Sequence, residues 1–178
     1  VKYMVDKTLS KVCEGKTPSE ILNISVADIA CGSGIFLEEA FAYLQDYCVQ
    51  WYICNGQTDH LIETGIDLYK LPLQEKKDIL CSCIYGIDID IHAVEVAKFS
   101  LLIKLIEDET APSVSEVVPI LPDLGDNIQF GNSLVSQTEL NGISGANRQM
   151  MEIAPFDWST INNGCGFDVI IGNPPYVN

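Results

Sequence analysis

The chain has 178 residues, enough for one domain with a real core. Although 47% of it is apolar, no run is long or clean enough to span a bilayer. Ten Lys and Arg stand against 25 acids, a formal charge of −15, so this piece is excluded as the main grip on a phosphate backbone. Any basic surface for DNA or RNA is expected in sequence outside it. The seven cysteines are odd in number and scattered through apolar segments. They argue for reduced thiols in a cytoplasmic setting, and no pair has zinc spacing.

The start, Val1-Lys2-Tyr3-Met4-Val5-Asp6, has the form of neither a signal peptide nor an initiator sequence, so both ends are expected to continue into something larger. Met4, Val5, Leu9 and Val12 predict a helix over residues 3–12, closed by the turn residues that follow Glu14. Residues 24–29 read as a strand. Asp28-Ile29-Ala30-Cys31-Gly32-Ser33-Gly34 then leads into a helix marked by Leu37, Ala40, Phe41, Leu44 and Tyr47, running to about residue 50. Gly32 and Gly34 let a ligand approach the backbone closely, and the helix start offers unpaired N–H groups. The dinucleotide fingerprint is missing, because Phe36-Leu37 stands where a third glycine is needed. Asp28, beneath the turn, suits orienting the loop or meeting a cation.

Residues 51–82 read as an insertion, with a helix starting near residue 71. Tyr85 to Ile87 are strand-like, and Asp88 falls where an acid can accept ribose hydroxyls. Asp90 can cap the next helix, residues 93–106, which is apolar enough around its circumference to be buried. Glu95 and Lys98 can pair across one turn. A proline-containing acidic loop follows, then a short strand over residues 127–130 ending in Gly131-Asn132-Ser133-Leu134. The Asn132 amide can read a base edge or form a simple Asx turn, with equal warrant. Phe156 and Trp158 suggest a local packing cluster.

The last strand, Phe167-Asp168-Val169-Ile170-Ile171-Gly172, stops at Asn173-Pro174-Pro175-Tyr176, since two prolines cannot continue a ladder. An amide beside a backbone carbonyl can accept two hydrogen bonds from an exocyclic amine, and the ring can stack on the base that carries it. Four parallel strands with polar or glycine turns on one edge describe an α/β fold with a doubly wound, mostly parallel sheet.

In this order, the turn Asp28-x-Ala30-Cys31-Gly32-Ser33-Gly34, the acid Asp88, the Gly131-Asn132 turn and Asn173-Pro174-Pro175-Tyr176 resemble the S-adenosylmethionine-dependent N6-adenine DNA methyltransferases of restriction–modification systems. The resemblance covers nearly the whole chain and implies a Rossmann-like methyltransferase core truncated after its fourth strand, with the target-recognition domain absent. It implies that Asp28, Ala30, Cys31, Gly32, Ser33 and Gly34 form the methionine side of the cofactor pocket. Asp88 would hold the ribose, Ile89 would pack beside the adenine ring, and Asn132 would read its amino group. Tyr3, Met4 and Val5 look like the tail of the amino-terminal cofactor motif, whose usual Thr-Pro is expected upstream of residue 1.

Asn173, Pro174, Pro175 and Tyr176 would hold a flipped target adenine. No metal is implied. Double-stranded DNA would be gripped by regions missing here, with a fused endonuclease or a specificity subunit as further partners. Similar pockets serve glutamine-amide and ribosomal RNA guanine methyltransferases, and a cofactor-binding fragment without activity is the non-enzyme alternative. The Ala30-Cys31 pair and the insertion before Asp88 favour the DNA family. Residues 1–178 alone are expected to bind cofactor weakly and to turn nothing over.

Overall fold

The computed structural model describes residues 1–110, 118–135 and 154–174. Its elements in chain order are α1 (Lys2–Cys13), α2 (Pro18–Ile21), β1 (Val26–Asp28), α3 (Ile35–Cys54), β2 (Ile62–Gly65), β3 (Leu68–Lys70), α4 (Leu73–Cys83), β4 (Ile84–Asp88), α5 (Ile91–Ile106), β5 (Ile128–Phe130) and β6 (Val169–Ile170). The main sheet has the order β5-β4-β1-β6, and its three pairings are all parallel. The chain steps outward from β1 through β4 to β5, then returns to the other side of β1 with β6. That reversal is the switch point of a doubly wound sheet, where the carboxyl ends of neighbouring strands splay to leave a crevice. Among the described strands β6 is an outer one, as the sequence suggests, and Ile170 is exposed on it.

The two faces of the sheet are covered differently. Val26, Ile84 and Ile128 point into a core shared with Leu9, Leu37, Phe41, Leu44, Leu80 and Leu101, so α1, α3, α4 and α5 all gather on one side. On the other side Ala27, Tyr85 and Ile87 meet Phe156, Ile161 and Phe167, so a largely irregular segment with one short 3-10 turn, Asn162–Gly164, serves as the cover. Phe156 and Trp158 do pack together, edge to face with ring centres 5.2 Å apart.

Two expectations differ from what is found. Helix α5 buries one stripe only, Val94, Ala97, Leu101 and Leu105, and leaves Val96, Phe99 and Ile103 exposed. The sheet and α3 lie on one side of it, and an apolar residue turned away from that side has nothing to pack on. The stretch 51–82 is of two kinds. The antiparallel hairpin β2–β3 stands outside the main sheet, while α4 contributes Leu73, Ile79, Leu80 and Cys83 to the core. Glu109 ties the hairpin down, its carboxylate lying 3.0 Å from Lys70 Nζ and 2.6 Å from Lys76 Nζ with all three groups largely shielded from water. All seven cysteines are free thiols, and among the described residues no helix is long and apolar enough to cross a membrane.

Candidate functional site

The carboxyl ends of β1, β4, β5 and β6 lie on one edge of the sheet, and their loops are stitched to one another. Asp28 closes β1 and is buried; its Oδ1 accepts the Ala30 N–H at 3.0 Å, which starts the glycine turn. Burial pushes the Asp28 carboxyl up to about 6, with the Ala30 amide opposing and the Asp88 charge adding to the rise. The turn is fastened to β4 twice: Cys31 N–H donates to the Ile87 carbonyl at 3.0 Å, and Gly32 N–H to Asp88 Oδ2 at 2.7 Å. Gly34 then opens α3 with φ of 88°, and an added Cβ would press on Ala97 of α5 at 3.2 Å, so conformation and space both call for glycine there. Cys31 is buried beside two carboxylates; burial first, then those charges, hold its thiol up at about 12. It is a neutral wall and no nucleophile.

Asp88 is the hub of this edge. Besides Gly32, its side chain accepts the Asp90 N–H at 2.9 Å, and its backbone carbonyl accepts the Gly131 N–H at 2.8 Å. Asp90 caps α5 through the His92 N–H at 2.9 Å, as its position suggests. Ile89, between the two acids, is 56% exposed.

Asn132 forms an Asx turn, its Oδ1 accepting the Leu134 N–H at 3.1 Å, and it does so on the same edge as the glycine turn. Ser133 holds the two loops together by donating its hydroxyl to the Ile29 carbonyl at 2.7 Å. The covering segment supports Asn132 from behind, through Asn132 N–H to the Ala154 carbonyl at 2.6 Å and Phe156 N–H to the Asn132 carbonyl at 3.2 Å.

Ile171 N–H still donates to the Ala27 carbonyl at 2.8 Å, so the chain leaves β6 alongside β1. Gly172 follows with its backbone against the Asp28 carboxylate, and Asn173 and Pro174 emerge exposed beyond it. Pro175 and Tyr176 lie outside the described residues. The structure thus brings together Asp28, Ala30, Cys31, Gly32, Ser33, Gly34, Asp88, Ile89, Asn132, Asn173 and Pro174. In α1, Val5 is core, while Tyr3 and Met4 are exposed. Ser133 and Gly172 escape a reading by sequence; the only signal is a hydroxyl after Asn132 and a glycine at the strand end.

The model of the Eco57I restriction-modification methylase family matches residues 82–178, more than half of the chain. The chain belongs to the Eco57I restriction-modification methylase family. It is 44% identical over 177 residues to the type II restriction enzyme and methyltransferase RM.Eco57I of Escherichia coli, covering 99% of this chain and 17% of that protein. A putative type II restriction enzyme and methyltransferase of Methanocaldococcus jannaschii, RM.MjaORFECS2P, is 34% identical over 137 residues, 74% of this chain and 11% of that protein. The chain therefore spans less than a fifth of the length of these relatives.

Proposed function

We propose that this edge holds S-adenosylmethionine and a flipped adenine, and that the chain is part of the catalytic domain of a DNA N6-adenine methyltransferase. The observation that carries the reading is the contact of Gly172 with Asp28, which sets the Asn173 loop directly against the glycine turn. The chemistry of the crevice suits the cofactor. The space before Gly32 is open, since a Cβ there would meet nothing within 4 Å. The Asp88 carboxylate has four acceptor positions and gives one of each oxygen to a backbone amide, which leaves capacity for ribose hydroxyls. Ile89 offers an exposed apolar surface for the adenine ring, and Asp28, buried beneath the turn, sets a carboxylate under the place proposed for the cationic methionine end. Ala30, Cys31, Ser33 and Gly34 shape the turn around that end, and Asn132 faces the base.

When bound, S-adenosylmethionine supplies an electrophilic methyl on a sulfonium centre. The chain's own residues prepare the acceptor. Asn173 Oδ1 and the Pro174 carbonyl accept the two N6 hydrogens of the target adenine, and Tyr176 stacks on its face. Pyramidalised by these bonds, the amine keeps its lone pair on nitrogen rather than in the ring, and its spare proton passes to water after transfer. Positioning and fixed dipoles supply the rate, with no protein nucleophile. With its charge of −15, the chain leaves the DNA backbone to other parts of a longer protein, where a fused endonuclease is also proposed. The free thiols favour a cytoplasmic setting.

The test is to incubate the longer protein that carries this chain with DNA and labelled S-adenosylmethionine, then digest the DNA to nucleosides. N6-methyl-2′-deoxyadenosine as the labelled product supports the reading. Label in another deoxynucleoside, or in none, contradicts it.

A further inference from the structure

The target loop and the cofactor turn share one hard contact. A Cβ built on Gly172 would lie 2.8 Å from Asp28 Cγ, 3.1 Å from Oδ2 and closer still to Oδ1. Those are overlaps, so the Asp28 carboxylate fills the space in which any other residue would place its side chain. Neither partner is free to retreat. Asp28 is 1% exposed and holds the Ala30 N–H at 3.0 Å. Gly172 follows Ile171, whose N–H is fixed to the Ala27 carbonyl at 2.8 Å, one residue before Asp28.

We propose that Asp28 is a positioning residue for both halves of the site, setting the height of the Asn173 loop through the Gly172 backbone, so that cofactor and target base bind cooperatively. A cofactor that shifts the glycine turn carries with it the Asp28 carboxylate bonded to the Ala30 amide, and so moves the floor on which the target loop rests. By linkage, a target base that settles the loop tightens the cofactor by the same factor. The inference rests on the methyltransferase reading and adds the coupling to it.

The experiment titrates S-adenosylmethionine calorimetrically into the longer protein as wild type, Gly172→Ala, Asp28→Ala and the double variant. Gly172→Ala is expected to weaken cofactor binding about tenfold, within the range for residues in contact, although Gly172 belongs to the target loop. In the Asp28→Ala background the same change is expected to cost several-fold less, because the obstructing carboxylate is gone and only the strain of an alanine at the Gly172 φ of 155° remains. Should Gly172→Ala fail to fold, a folded double variant within a few-fold of the affinity of Asp28→Ala supports the same conclusion. Unchanged cofactor affinity in Gly172→Ala, equal losses in both backgrounds, or misfolding of both Gly172 variants overturns the proposal. An additive cycle in a protein that still makes N6-methyladenine removes the coupling and keeps the function. A coupled cycle in a protein that methylates no adenine keeps the contact and removes the target.

Discussion

The two edges of the main sheet use polar side chains for opposite ends. At the amino edge they close the structure. Asp168 Oδ2 accepts both the N–H and the hydroxyl of Ser25, at 2.8 and 3.0 Å, and clamps β6 to β1. Asn127 Nδ2 donates to the carbonyls of Cys81 and Ile84, each at 2.9 Å, and clamps the start of β5 to α4 and β4. At the carboxyl edge the polar groups hold loops by their backbone amides, as Asp28 holds Ala30 and Asp88 holds Gly32 and Asp90. A carboxylate that takes one amide per oxygen can still accept more. One edge joins strand to strand, and the other holds loops beside exposed Ile89 and Asn173. On the proposed reading, the difference separates stability from function by position.

Substitutions can break that separation, the severest first. Asn173→Ala is expected to lower the methyl-transfer rate by about 100- to 1,000-fold, the cost of losing one preorganised polar contact to the reacting group. Cofactor affinity by calorimetry should scarcely move. Asp88→Ala removes a charged acceptor from two loop amides and from the proposed ribose contact. Its cofactor affinity should drop by about ten- to a hundredfold in the same titration.

At the opposite edge, Asp168→Ala should leave cofactor affinity unchanged. Hydrogen exchange at the Val169 and Ile171 amides should instead quicken by about tenfold, as a clamp of two hydrogen bonds is lost. A loss of cofactor affinity there would mean the edges are not separable.

The smallest effect sharpens the comparison by pH. Asp28 in the fold titrates at about 6, raised from 3.8 by burial. Above that pH it is ionised and attracts a cationic cofactor, so affinity should be flat at high pH and fall a few-fold as pH drops through 6. The sign for folding is the reverse. A raised carboxyl takes up its proton more readily in the fold, so its contribution to stability improves as pH falls through the same range. Asp28→Asn should flatten the binding profile.

The sheet and its tips were legible in sequence because each strand ends abruptly in residues with few other uses: Asp28 before a glycine turn, Asp88 before a capped helix, Asn173 before two prolines. The missing third glycine was legible too, but its compensation was not. Helix α3 approaches the sheet over Gly86, where an added Cβ would lie 2.7 Å from Leu37 Cδ1, so the strand makes the room that the helix does not. The exposed stripe of α5 escaped because composition cannot say which side of an apolar helix meets the sheet. The split of residues 51–82 escaped because α4 is short and carries Lys76 into the core beside Glu109, a partner far along the chain. Gly172 and Ser133 act across elements, through contacts that no local pattern records.

The most direct test of the whole account is a crystal structure of the longer protein soaked with S-adenosylmethionine. The ligand should lie along the Gly32 turn, its ribose on Asp88 and its sulfonium methyl turned toward Asn173. Density at the amino edge by Ser25 and Asp168, or a methyl group facing away from Asn173, would contradict it.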